Sequence, residues 1–251
     1  MRQLFPLPAD DVDPAPLYRD SRPTVGDRPY VVVNMVTSID GATAVGGVTA
    51  KLGGPGDQRI FFLLRSLADV ILVGAQTVRA EGYGPPRLTP QAVEARLERD
   101  QPALPTIAVV SRSLDFDWSS PLFSDPKTRP ILLTVGSADS EGMRRARDRA
   151  EVLIAGERSV DLALGLRQLR ARGIALVLCE GGPTLNAALA DAGVLDELCL
   201  TVAPLLVGDG GPARIMGDHP LDPPLEPSLL HVLEEDRFLF LRYRLERAEW
   251  R

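Results

Sequence analysis

Seven short β-like runs, separated by stretches with helical spacing, restrict this chain to folds in which strands and helices alternate. The runs are Tyr30 to Val36, Val70 to Val73, Thr106 to Val110, Ile131 to Thr134, Ala175 to Cys179, Leu198 to Val202 and Phe238 to Leu245. Between the first two, Ile60, Leu63, Leu64 and Leu67 recur at i, i+3, i+4 and i+7, which is one face of a helix. Leu162, Leu166 and Leu169 form a second such face before Ala175. The rhythm predicts an α/β sheet. Arg242 and Arg244 alternate with apolar residues in the last run, as in a strand with one wet face. Glu141 to Arg149 reads as an exposed helix whose arginines, Arg144, Arg145, Arg147 and Arg149, are solvated. Residues 1–29 hold six of the 22 prolines and no sustained periodicity. They read as an extended leader ahead of one domain spanning 30–251.

With 251 residues, 45% of them hydrophobic, the chain can bury a full core. A formal charge of −6 gives no general drive toward nucleic acid or an anionic membrane, so a small-molecule partner is expected. No apolar run approaches the ~18 residues of a membrane span, and Met1 to Pro6 lacks the apolar stretch of a signal peptide. The protein reads as cytoplasmic. Cys179 and Cys199 lie inside apolar runs without metal-ligand spacing, as reduced core thiols do.

The most informative turn follows Cys179. Glu180-Gly181-Gly182 ends the run, Pro183 opens a helix with the apolar face Leu185, Ala188, Leu189 and Ala192, and Gly193 stops it. Such a strand-to-helix turn points backbone N–H groups and the positive end of the helix dipole at the carboxyl edge of the sheet, where phosphate is a natural guest. Glycine leaves room for a pyrophosphate, and Thr184 adds a hydroxyl. A Gly-Gly turn also serves simply to pack strand against helix. Glu180 would repel phosphate, so it reads either as facing a substrate pocket or as a surface carboxylate.

Other turns fit the same site. Thr37-Ser38-Ile39-Asp40-Gly41 closes the first run, within which Asn34 is a polar amide needing a partner. Gly46-Gly47 and Gly53-Gly54-Pro55-Gly56 flank Thr49 and Lys51 in a segment that reads as a closing flap or as plain surface. Asp57 heads the Ile60 helix, as its cap or as a proton donor in a partly desolvated site. Arg65 lies near that helix's apolar stripe. Gly74-Ala75-Gln76-Thr77 repeats the strand-to-helix pattern, and the loop from Glu81 to Arg87 carries another cation for a substrate phosphate. Ser111-Arg112 at a strand end suits the 2′-phosphate that separates NADPH from NADH.

Together, Thr37 to Gly41, Leu63-Leu64-Arg65, Asp69 to Gly74 with Thr77-Val78, Glu180 to Leu185, and Asp196-Glu197-Leu198 with Ala203-Pro204 resemble the reductase domain of riboflavin biosynthesis, which is similar in fold to dihydrofolate reductase. The resemblance covers Pro29 to Leu245. It implies a three-layer α/β sandwich around a central, mostly parallel sheet, a homodimer, and NADPH-dependent reduction of the ribosyl group of 5-amino-6-(5-phosphoribosylamino)uracil to ribityl. It implies cofactor contacts at Thr37, Thr77, Ser111 and Gly182, Pro183, Thr184, Leu185 and Asn186, to which the reading of the turns adds Lys51, Glu81, Arg112 and Gly181. Thr49, Arg65 and Glu180 match substrate-side positions; Asn34, Arg87 and Asp57 join them, with Asp57 and Glu180 as the catalytic pair. Lys51 or Arg65 would hold the substrate phosphate. Two departures stand out. The family's acidic pair before a proline is here Glu81-Gly82-Tyr83, and its aromatic after Asp40 is replaced by Lys51. Pterin or folate reduction on the same fold, and NADPH binding without turnover, are the rival readings. A zinc deaminase motif, His-x-Glu followed by Cys-x-x-Cys, does not occur, and His219 and His231 read as structural or surface residues.

Overall fold

The computed structural model describes residues 1–19, 22–23, 25–125, 128–208 and 214–245. In chain order, its elements are β1 (Arg2–Phe5), α1 (Pro14–Tyr18), β2 (Tyr30–Ser38), α2 (Pro55–Leu67), β3 (Val70–Gly74), α3 (Ala75–Glu81), α4 (Pro90–Leu97), β4 (Thr106–Val110), α5 (Pro121–Ser124), β5 (Ile131–Thr134), α6 (Ser140–Arg149), β6 (Glu151–Ile154), α7 (Leu162–Arg170), β7 (Leu176–Cys179), α8 (Pro183–Asp191), β8 (Glu197–Ala203), β9 (Ser228–Glu235) and β10 (Phe238–Arg244). A 3₁₀ turn covers Thr49–Lys51. Among the pairings described within the two compact units of the chain, five are parallel and three antiparallel, in keeping with the mostly parallel α/β class expected from the alternating runs.

The chain forms two compact units, one of Met1–Arg22, Val31–Leu64 and Pro183–Arg251, the other of Pro23–Tyr30 and Arg65–Gly182. Residues 246–251 of the expected domain lie outside the described residues. In the second unit the strand order is β7-β3-β4-β5-β6, with every pairing parallel. These strands are buried because helices cover such sheets on their faces: Ile71, Leu72, Val73, Ala108, Val109, Leu132 and Leu133 have almost no exposure. Leu162, Leu166 and Leu169 are buried as the helical spacing requires. The arginines of α6 are exposed, and Glu141 pairs with Arg144 and Arg145 at 2.8 Å, so the solvated reading of that helix holds.

In the first unit the order is β1-β9-β10-β8-β2, antiparallel except for β8 beside β2. Residues 1–29 are not a plain extended leader. They contain β1, which pairs with β9, and α1, whose start is capped by the Asp13 side chain accepting the Ala15 N–H; residues 20, 21 and 24 lie outside the description. The prolines misled here because Pro14 sits at the first turn of a helix, where its missing N–H costs nothing. The strand β9 also escaped the sequence reading. Its hairpin to β10 turns through Asp236 and Arg237 with φ of 52° and 71°, the conformation of a type I′ turn but without the glycine that usually announces it. On α8 the inward face is Leu185, Asn186, Ala187, Leu189 and Ala190; Ala188 is half-buried and Ala192 exposed, contrary to the expected stripe.

Buried charge organises this first unit. The fully buried Glu197 accepts bonds from Arg242 Nε and Nη2, each at 2.8 Å, and from Arg22 Nη2 at 3.2 Å. Arg242 also donates to the Leu17 carbonyl and lies over the Tyr18 ring at 5.6 Å, so α1 is fastened to β8 and β10. Tyr18 in turn meets the buried His231 edge-on at 4.9 Å. His219 is a surface residue that pairs with Asp191 at 2.5 Å. Both cysteines are buried and outside any disulfide, and burial pushes the Cys179 thiol up to about 12. Among the described residues no helix is long and apolar enough to cross a membrane.

Burial works to raise the Glu197 carboxyl, but Arg242 and Arg22 outweigh it and hold it below its ordinary range. A depressed carboxyl contributes stability that is present above its unfolded value and lost as pH falls through its folded one. Replacing Glu197 by Gln is expected to cost about 3–5 kcal/mol in urea unfolding at pH 7, the range for breaking a buried ion pair. The difference from wild type should shrink in acid, where the wild-type carboxyl is itself neutral.

Candidate active site

In the second unit, parallel pairing places the turns after β3, β4 and β7 at one sheet edge. The turn after β7 is fastened to β3 by two backbone bonds: Glu180 N–H donates to the Leu72 carbonyl at 3.0 Å, and Gly74 N–H donates to the Gly181 carbonyl at 2.9 Å. Gly181 has φ of 90°, a conformation that favours glycine, and the Gly181–Gly182 peptide is cis. A Cβ on Gly182 would approach Thr77 Oγ1 to 3.1 Å. The bare backbone of Gly182 and the half-buried Thr77 of α3, two residues expected at the cofactor, are therefore neighbours at this sheet edge.

Of the two readings of Glu180, burial excludes the surface carboxylate. Its side chain is 4% exposed, and its two oxygens accept Arg65 Nε and Nη2 at 2.7 Å each. Tyr83 donates its hydroxyl to Glu180 Oε2 at 2.5 Å, and the Arg65 guanidinium lies 5.9 Å from the Tyr83 ring centre. Glu180 is thus neither a surface carboxylate nor an uncommitted acceptor, and Arg65 already serves an acidic partner. Burial opposes the Arg65 charge, yet Glu180 more than restores it. Burial and the adjacent Glu180 charge raise the Tyr83 phenol. Tyr83 went unremarked as a site residue because nothing in its spacing links it to Glu180, 97 positions away.

The remaining candidates of this unit separate by exposure. Ser111 is 3% exposed and its oxygen accepts the Leu114 N–H at 3.0 Å, so it closes the turn after β4 instead of presenting its hydroxyl at the surface. Arg112, Glu81 and Arg87 are exposed.

In the first unit, the parallel register of Ser38 beside Ala203 brings together the turns after β2 and β8. Asp40 accepts Val207 N–H and Gly208 N–H at 3.2 and 2.8 Å and the Ser38 hydroxyl at 2.5 Å; the Ser38 bond foremost, then the backbone bonds, lower its carboxyl to about 2. Thr37 is buried and donates to the carbonyls of Ser38 and Ala42, each at 3.2 Å. Asn34, opposite Cys199, and Thr49 are half-buried; Lys51 is exposed. The expected flap is anchored: Leu52 is fully buried, and a Cβ on Gly54 would overlap the Phe238 ring at 2.8 Å. Thr184 is exposed and Pro183 half-buried, while Leu185 and Asn186 turn inward, Asn186 donating to the Ile215 carbonyl at 2.9 Å. The side chains of Leu185 and Asn186 are thus committed to packing within the first unit.

Asp57 is the third residue of α2, not its cap. The carboxyl is half-buried and bonds the Thr201 side chain; burial raises it and the Thr201 bond offsets part of the rise.

The RibD C-terminal domain family model matches residues 29–236. The chain belongs to that family. Within it, the chain is 35% identical over 193 residues to the 2,5-diamino-6-ribosylamino-4(3H)-pyrimidinone 5′-phosphate reductase of Methanothermobacter thermautotrophicus, covering 76% of this chain and 84% of that protein. It is 28% identical over 190 residues to the riboflavin biosynthesis protein RibD of Escherichia coli, covering 72% of this chain and 49% of that protein. The crystal structure of a pyrimidine reductase-like protein from Corynebacterium diphtheriae superposes with a TM-score of 0.79 at 29% identity, covering 88% of this chain and 93% of that one.

For this RibD-type domain, the raised carboxyl of Asp57 fixes the sign of a pH effect. A group whose folded value is raised contributes stability below its unfolded value, which is lost as pH rises through the folded value. Asp57→Asn, a mimic of the protonated form, is therefore expected to be more stable relative to wild type at pH 7 than at pH 3. Equal differences at both pH values by denaturant unfolding would contradict the desolvated placement.

Proposed function

We propose that this chain is an NADPH-dependent reductase that converts the ribosyl group of a ribosylaminopyrimidine 5′-phosphate to ribityl in riboflavin biosynthesis. The observation that carries the reading is the side-chain-free backbone of Gly182 beside Thr77 at the carboxyl edge of the parallel strands, where an added Cβ would stand 3.1 Å from Thr77 Oγ1. In this reading the edge is a recess whose bare backbone a pyrophosphate can approach. Membership of the RibD C-terminal domain family, and relatives named as reductases of such a substrate, support the same assignment.

In this reading, Gly181, Gly182 and Thr77 hold the pyrophosphate, with Thr37 and the Pro183-Thr184 step as further cofactor positions. Arg112, exposed after β4, meets the 2′-phosphate, while the buried Ser111 shapes the turn beneath it. NADPH, when bound, supplies the hydride. The protein supplies position and a proton: Asn34 and Thr49 orient the substrate, Lys51 or Arg87 offers an exposed cation for its phosphate, and Asp57 donates the proton, directly or through water. The proton donor needs a carboxyl that keeps its proton to higher pH than usual, which burial of Asp57 provides. A homodimer in the cytoplasm is part of the proposal.

Two substrates of this class differ at C2 of the pyrimidine. The uracil carries an oxygen there, and the substrate named for the Methanothermobacter relative carries an amino group. The 35% identity to that relative favours the diamino form as a second reading beside 5-amino-6-(5-phosphoribosylamino)uracil.

NADPH oxidation in the presence of either pyrimidine, with dihydrofolate as comparison, tests the assignment. Turnover of a pyrimidine phosphate is expected; turnover of dihydrofolate alone would replace it with pterin chemistry, and NADPH binding without turnover of any of the three would favour a sensor. Gly182→Val should abolish NADPH binding, and unchanged affinity would sink the recess as the phosphate site. Asp57→Asn should lower kcat by about 100-fold, the scale of general acid catalysis, with cofactor affinity near normal.

A further inference from the structure

We infer that Tyr83 is a positioning residue for the cofactor recess, acting through Glu180. Helix α3 carries Thr77 in its first turn and ends at Glu81. Gly82 follows with φ of 60° and ψ of 48°, a left-handed cap that donates its N–H to the Val78 carbonyl and reverses the chain. Tyr83 is thereby brought back against the core of Ile71, Val73 and Val78, where its ring is partly buried. The hydroxyl emerges from that packing to donate to Glu180 Oε2 at 2.5 Å.

This bond joins the two elements that border the recess. Tyr83 is one residue beyond the cap of the Thr77 helix, and Glu180 directly precedes Gly181 and Gly182. Between the other ends of the same elements runs the Gly74 N–H to Gly181 carbonyl bond at 2.9 Å. The Tyr83–Glu180 bond thus adds a side-chain tie to the two backbone bonds that fasten the turn after β7 to β3. Arg65, donating twice to Glu180 at 2.7 Å, makes the carboxylate a fixed, charge-compensated acceptor, so Tyr83 bonds a group that does not swing. A carboxylate so close to a phosphate recess would otherwise repel its guest; the guanidinium removes that objection.

The inference rests on the proposed cofactor site, and two variants test it in the full chain. Tyr83→Phe keeps the ring and its packing but removes the hydroxyl. The expected result is about a tenfold rise in the NADPH dissociation constant, with KM for the pyrimidine phosphate at saturating NADPH within about twofold of wild type. Glu180→Gln also leaves Arg65 without its counter-charge and should weaken NADPH at least as much, and adding Tyr83→Phe to it should cost less than Tyr83→Phe costs in wild type. NADPH affinity within twofold of wild type in Tyr83→Phe would overturn the positioning role, as would an equal loss of pyrimidine and cofactor affinity. A wild-type protein that binds NADPH but reduces no pyrimidine would remove the functional reading while leaving the affinity comparison decisive. Wild type that does not bind NADPH would overturn both.

Discussion

Parallel pairing of β7, β3, β4, β5 and β6 is the constraint from which the second unit's site follows. Parallel strands all finish at one edge, so turns that are far apart in sequence meet there without any special attraction between them. The hydrophobic cost of exposing Ile71, Leu72, Val109 and Leu132 enforces the pairing, because each such side chain contributes roughly 1.5–3 kcal/mol by burial. The chemistry of the recess is thus a by-product of a core that would form in any case. What the sequence adds at that edge is glycine at 181 and 182 and threonine at 77.

Charge is handled in two distinct ways. Glu197 with Arg242 and Arg22 is sealed from water and fastens α1 to the sheet of the first unit. Glu180 with Arg65 and Tyr83 is built from the same kinds of groups at a sheet edge. Both place an arginine against a carboxylate with two parallel bonds, the geometry in which guanidinium and carboxylate are mutually most specific. Breaking the first threatens the fold; the second sits at the mouth of a turn whose backbone must stay open.

The sheet was legible because its strands are short, apolar and bounded by polar turns. Thr106–Val110 and Ile131–Thr134 coincide with their sequence runs, and the other predicted strands differ by one or two residues at their ends. The strands β1, β6 and β9 were not legible, since Arg2–Phe5, Glu151–Ile154 and Ser228–Glu235 carry charge within them and take their order from neighbours. At the site, glycine positions could be read because only backbone freedom explains two in succession after a buried strand. Side-chain commitments could not. Ser111 and Asn186 belong to matching motifs, yet burial turned both inward, and the direction of a side chain depends on packing that no linear spacing encodes.

The segment from Gly41 to Gly54 carries a further consequence. Its tip, Gly46-Gly47, is held as a narrow turn by mutual backbone bonds between Val45 and Val48 at 3.2 Å, and its far end is pinned by Leu52 in the pocket of Val36, Ala203 and Phe238. A loop fastened at both points has little conformational entropy left to lose when a ligand arrives. In the proposed site, adaptation to a guest would then fall to the side chains of Thr49 and Lys51. Such a loop resembles a fixed rim more than a door, and it would favour quick entry and exit over prolonged enclosure.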